Sequence, residues 1–171
     1  MIPANTTQPL LNFSPAPFRP ASNTDIAIVA TRMRLECRDE CQAITGLDPL
    51  TCLTADKANL YVFDGRNGDP CAAVAVSPTG DNDCAALITV STDIKTNTYV
   101  FVEAIAKFFM LLHGQYEAVH VVVDARNVPT QRLLIDCAFV FVERFERFGA
   151  ERRPFCLYTS RRSPACASQS H

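Results

Sequence analysis

Residues 84–125 read CAALITVSTDIKTNTYVFVEAIAKFFMLLHGQYEAVHVVVDA, and the apolar period changes twice within them. Cys84 to Ser91 is a short apolar run bounded by turn residues, which predicts a strand. Thr98 to His113 is apolar almost all round, with Glu103 and Lys107 as one polar stripe at i, i+4. That pattern predicts a largely buried helix lying on a sheet, with Ile105, Phe108 and Leu112 facing inward. Gly114 stops the helix. Ala118 to Ala125 is β-branched, the composition of a strand covered on both faces. Between the first strand and the helix lies Thr92-Asp93-Ile94-Lys95-Thr96-Asn97-Thr98, a polar loop ending where unpaired helix N–H groups begin. A helix this apolar carries surplus surface, and such a patch is expected to mark an oligomer or partner interface.

Working outward, two more strands precede this unit. Asn59 to Phe63 leads into the turn Asp64 to Pro70, and Cys71 to Val76 leads into Ser77 to Asp83, the spacing of an antiparallel meander. Further upstream Phe18-Arg19-Pro20 is extended. Asn23 or Thr24 is then expected to cap a helix, with Asp25 in its first turn. Ile26, Val29, Met33 and Cys37 carry the helical period to a stop at Gly46. Downstream, Pro129 to Cys137 predicts a short helix. Phe139 to Phe148 and Phe155 to Ser160 predict two strands around Phe148-Gly149-Ala150. The element order is therefore β, α, β, β, β, α, β, α, β, β: an α/β (α+β) chain.

The chain has 171 residues, a net charge of −2 and 48% hydrophobic residues. These values fit one domain at about 16–162, with a Pro- and Asn-rich arm at 1–15 (pinned, if at all, by Leu10, Leu11 and Phe13) and a polar tail at 163–171. No global field draws nucleic acid or an anionic membrane. Arg144, Arg147, Arg152 and Arg153 interleave with Glu143, Glu146 and Glu151, the look of a solvated strand. The longest apolar run, Tyr99 to Leu112, is about 14 residues and too short to cross a bilayer. Eight cysteines show no C-x-x-C pair, and Cys37 with Cys41 falls short of a closed metal site, so no metal is expected. Residues 1–13 show no signal peptide, and reduced thiols in a cytoplasm are the expectation. Walker, G-x-S-x-G and H-E-x-x-H motifs are missing from the sequence.

Several local stretches then agree with one family. Phe18-Arg19-Pro20-Ala21 with Asp25 opening a helix, and Asn127-Val128-Pro129-Thr130-Gln131-Arg132-Leu133-Leu134-Ile135-Asp136-Cys137-Ala138-Phe139, resemble the GCN5-related N-acetyltransferase (GNAT) superfamily, with Asn127, Leu133 and Phe139 in register. The resemblance covers about residues 17 to 160. It implies a central mixed, mostly antiparallel sheet with helices on both faces. It also implies that Leu87–Val90 and Ala118–Ala125 splay apart to receive the pantetheine arm of acetyl-CoA. Val90, Lys95, Thr96, Asn97, Thr98 and Asn127 are the implied cofactor-binding residues, the pyrophosphate resting on the amino end of the next helix. An N–H near Val90 would face the oxyanion of the reaction. Asp124, at the end of its strand, is the candidate general base acting through water, and bonding of the following turn amides is its structural alternative. His120 lies on the same face roughly 13 Å away, out of reach of a direct pair.

The sequence also departs from the family pattern. The loop from 92 to 98 has no glycine, and Asp93 would repel phosphate. Leu134 stands where a tyrosine often acts as general acid, and Ala138 replaces a glycine. Two functions fit. One is an acetyl-CoA-dependent N-acetyltransferase acting on an amine. The other is a binding module of the same fold that has lost the reaction, a homodimer or a binder of other proteins. Asn127 to Ser160 also resembles short GNAT-like proteins of tailed bacteriophages, which implies host or virion proteins as partners and the host cytoplasm as setting.

Overall fold

The computed structural model describes residues 17–55 and 59–163. The expected arm at 1–15 and positions 164–171 of the expected tail lie outside these residues. In chain order the elements are β1 (Phe18–Pro20), α1 (Asn23–Arg32), α2 (Leu35–Thr45), α3 (Pro49–Ala55), β2 (Leu60–Asp64), β3 (Pro70–Pro78), β4 (Asp83–Val90), α4 (Thr98–Leu112), β5 (Ala118–Asp124), α5 (Val128–Asp136), β6 (Val140–Phe148) and β7 (Arg153–Arg161). The strands form one sheet in the order β1-β2-β3-β4-β5-β7-β6. Every neighbouring pair is antiparallel except β4 and β5.

Helices cover both faces. On one, Phe108 of α4 packs 4.8 Å from Phe18 and 5.6 Å from Tyr61, and Phe101 lies 5.5 Å from Phe63. Phe109 reaches Phe139, just after α5, at 4.8 Å. The other face takes α1, α2 and α3, where Cys41 and Cys52 line a cavity together with Ala75 and Val122. Ile105, Phe108 and Leu112 are buried as the period predicts, and Glu103 pairs with Lys107 at the surface. The same helix leaves Tyr99, Val100, Met110 and Leu111 exposed, so its surplus apolar surface is real.

The single helix expected up to Gly46 is two. The chain breaks at Met33 and Arg34, both extended, because Met33 bridges Ser91 and the Arg34 N–H donates to the Val90 carbonyl at 3.0 Å. The cap of α1 is Ser22, one residue before the expected Asn23 or Thr24. Ser22 and Asp25 form a reciprocal capping box. Asp25 also takes a bidentate grip from Arg19, which holds its carboxyl well below the usual carboxylate range, with Ser22 adding to the effect. Arg19 in turn reaches Asp64, tying β1, α1 and the end of β2 together.

The β6–β7 hairpin folds back onto α2. Gly149 sits at φ +69°, and its neighbours Ala150 and Glu151 donate backbone hydrogen bonds to Ile44 and Ala43, both at 3.1 Å. A Cβ at Gly149 would lie 2.4 Å from the Ala43 carbonyl oxygen. Gly149→Ala should therefore cost about 2–3 kcal/mol, from left-handed strain plus displacement of the helix end. Urea denaturation measures it, and an unchanged midpoint would show the hairpin is not held this way. Ala138, where the family pattern has glycine, adopts φ +63°. The turn after α5 demands that conformation and alanine bears it at a cost.

The seven described cysteines form no disulfide with one another, and six of them are buried. Burial pushes Cys84 up to about 12 and both Cys71 and Cys137 up to about 11, so these act as small apolar groups. No helix among the described residues is long and apolar enough to cross a membrane.

Candidate functional site

β4 and β5 pair only from Asp83↔Ala118 to Ala85↔His120. Beyond that point both strands continue unpaired with each other, and the sheet forks. Val90 stands at the open end of the fork, its carbonyl taken by Arg34 from the α1–α2 junction.

On the α4–α5 side the fork opens into a cleft of about 230 Å³. Val90, Lys95 and Thr98 line it, together with Arg34, Thr130 and Arg132. The 92–98 loop makes a 3₁₀ turn over Thr92–Thr96, capped by Ser91, and runs directly into α4. No side chain caps α4, so its first-turn N–H groups remain for a ligand. Asp93 is drawn towards Arg32 at 3.2 Å, and Arg32 also holds Asp69. Arg34 Nε and Thr130 Oγ1 are buried without a hydrogen-bond partner. Three cations, an uncapped helix start and an orphaned hydroxyl suit an anion with an extended amide arm.

Not every expected residue comes to this cleft. Thr96 donates to the Asp93 carbonyl and accepts from Asn97. Asn97 is buried, and its Oδ1 accepts the Arg66 N–H at 3.2 Å, which fixes the loop against the β2–β3 turn. Asn127 is also buried. Its Oδ1 caps α5 through the Thr130 N–H, and its Nδ2 donates to Glu40 Oε2 at 2.5 Å. These three residues shape the cleft from behind. Arg34, Thr130 and Arg132 line it instead, the last two beside Pro129, Leu133 and Asp136 on one face of α5.

On the α2 side the fork meets a small cleft of about 120 Å³ lined by Leu35, Glu36, Asp39, Asp124, Arg126 and Asn127. Asp124 is buried and accepts from Arg126 three times, through the backbone N–H at 2.9 Å, Nε at 3.0 Å and Nη2 at 2.8 Å. Arg153 lies 3.6 Å away. The turn-bonding alternative thus describes its present hydrogen bonds. Behind it sits Glu40, whose carboxyl burial pushes up to about 8; the Asn127 amide opposes that rise and the Asp124 charge adds to it. Glu40 joins α2 on one face to the start of α5 on the other. His120 bonds Thr159 at 2.9 Å and approaches Asp83 at 3.5 Å, and Tyr158 donates to Gln131 at 3.0 Å. No group of three metal-ligating side chains gathers among the described residues.

No protein-family model and no curated protein sequence matches the chain. Solved structures do. A GNAT-family acetyltransferase from Bacillus anthracis superposes with a TM-score of 0.65 at 10% identity, over 85% of this chain and 93% of that one. Mycobacterium smegmatis RimJ in complex with CoA-disulfide gives 0.65 at 18% identity, over 90% and 84%. A phosphinothricin acetyltransferase from Sinorhizobium meliloti in complex with AcCoA gives 0.61 at 10% identity, over 90% and 92%. The chain has the fold of these proteins.

Proposed function

We propose that this protein binds an acyl-coenzyme A thioester, acetyl-CoA being the simplest, and transfers the acyl group to an amine. The observation that carries the reading is the cleft at the fork, where an uncapped helix start, Arg34, Lys95 and Arg132 meet an unpaired strand edge. When bound, the thioester supplies the acyl carbon; the amine nitrogen bonds to it, the carbon–sulfur bond breaks, and the amine's proton leaves.

The chain's own residues hold and orient. Lys95, Arg34 and the first turn of α4 take the phosphates, with Thr130 and Thr98 hydroxyls beside them. Thr96, Asn97 and Asn127 support this surface without touching the ligand. The Val90 N–H stands at the strand edge where the reacting carbonyl would lie. The amine approaches from the α2 side, where the Glu36 and Asp39 carboxylates line the cleft beside Asp124 and its partner Arg126. Asp124 takes up the proton through a water, its geometry fixed by Arg126. Most of the acceleration in this reading comes from juxtaposition across the fork.

A second reading, a protein-binding module, rests on edge strand β6. Val140, Phe141 and Val142 are 68%, 52% and 55% exposed there, on a strand with one unpaired side. The partner would be a second copy, or a host or virion protein.

One experiment separates the two. Acetyl-CoA should raise the melting temperature by mass action, about 2.7 kcal/mol at a hundredfold excess over Kd. Lys95→Ala should weaken binding by roughly three- to tenfold, the loss of one exposed charge-assisted contact. A protein that shows neither thermal shift nor heat with millimolar acetyl-CoA, yet is a stable dimer by light scattering, would overturn the transferase reading in favour of the second.

A further inference from the structure

On the α2 face, at the apex of the fork, lies a second chamber of about 210 Å³. Its floor is made of small residues on neighbouring strands, Ala75 and Ser77 of β3 and Ala85 of β4, with Ala75 paired to Leu87 and Ser77 paired to Ala85. Cys41 of α2 and Phe148 of β6 form walls, and Val122 of β5 completes the side across the fork. The chamber is built by the hairpin: Gly149 lets the β6–β7 turn dock on the end of α2, which places Phe148 over the floor. No charged side chain lines it.

We propose that this chamber holds an aliphatic acyl chain, so that the preferred thioester carries about six to eight carbons, an apolar cavity of about 150 Å³ being enough for a six-carbon ring. The inference rests on the reading of the neighbouring cleft as an acyl-CoA site and names its acyl group. Three observations converge on it. Leu87 and Val122, both lining the chamber, are the first residues on that face past the last β4–β5 ladder pair, Ala85↔His120. A thioester held on the β4 edge would pass its chain between the unpaired strands at that point. The lining offers no carboxylate to an ammonium, and the carboxylates that suit the acceptor amine line the separate cleft beside Asp124. An acyl chain beyond its carbonyl asks only for apolar surface, which is what Ala75, Ala85, Leu87, Val122 and the buried thiols present.

Isothermal calorimetry with coenzyme A and its acetyl, butyryl, hexanoyl, octanoyl and dodecanoyl thioesters tests the proposal. Kd should tighten about three- to fourfold per methylene from acetyl to hexanoyl, and flatten by octanoyl once the chamber is full. Ala85→Leu, at a half-exposed position, should flatten the whole series towards the acetyl-CoA value. If that variant does not fold, Leu87→Ala should move the plateau to longer chains. A series with one common Kd from coenzyme A to octanoyl-CoA overturns the proposal while leaving the cleft reading standing. Absence of binding by every member overturns both. A flat series together with stabilisation by hexylamine that Ala85→Leu abolishes would give the chamber to the acceptor and also overturn it.

Discussion

Phe108→Ala should lower the stability of this protein by about 3–5 kcal/mol, the cost of deleting a buried aromatic and leaving a cavity. Phe108 is 1% exposed and touches three rings: Phe18 of β1 at 4.8 Å, Tyr61 of β2 at 5.6 Å and its own helix neighbour Phe109 at 6.2 Å. These rings cannot close over the gap without shifting β1 and β2, which are held by Arg19 through Asp25 and Asp64. Urea denaturation should show a lower midpoint with an unchanged slope. Glu103→Ala, one turn earlier on the solvent side, is the control and should leave the curve in place. A harmless Phe108→Ala would mean that α4 does not lie on this sheet as described.

The second large effect is a dependence on pH. The Glu40 carboxyl titrates near 8 in the folded protein, against about 4.3 in an unfolded chain. Between those values the folded state holds one more proton than the unfolded state, so stability falls as pH rises through the window and levels off above it. Below about 4.3 both states are protonated and the group contributes no slope. Glu40→Gln keeps an acceptor for Asn127 and removes the ionisation. It should match the wild type near pH 4 and become more stable as pH rises, gaining up to ~1.4 kcal/mol per pH unit to a limit near pH 8. Denaturation midpoints of both proteins from pH 4 to 9 give the difference directly, and the subtraction cancels other titrating groups. Parallel curves would show that Glu40 is ionised in the folded state.

Much of this fold is legible in the period of its residues. The buried face of α4 and the strand positions follow from i, i+3, i+7 and β-branched patterns that no tertiary contact overrides. The break between α1 and α2 is different. Nothing at Met33-Arg34 resembles a breaker, and the helix ends because β4 offers backbone partners at Val90 and Ser91. The same limit applies at the cleft. The family resemblance names Val90, Lys95 and Thr98, which line the cleft, and equally Asn97, which is held behind it by a partner, Arg66, 31 residues away. Arg34 and Arg132 belong to different layers, and only the fork brings them to one opening. Glu40 shares the inward helical face of Cys37 and Cys41, and its burial depends on Asn127, 87 residues away, which no local pattern reveals.

The sheet order also governs how the molecule assembles in time. β7 is the last strand among the described residues, yet it lies inside the sheet, hydrogen-bonded along its length to β5 on one side and β6 on the other. A chain synthesised from its amino end therefore exposes the whole free edge of β5 until Arg153–Arg161 has been made. That edge, Ala118 to Asp124, is rich in β-branched valine, and an open edge of this kind pairs readily with any strand it meets. Until then β6 has no sheet to join, and its Val140-Phe141-Val142 run is unprotected on both sides. The nascent protein is thus expected to pass through a stage more prone to aggregation than its finished form, ending when β7 joins the sheet.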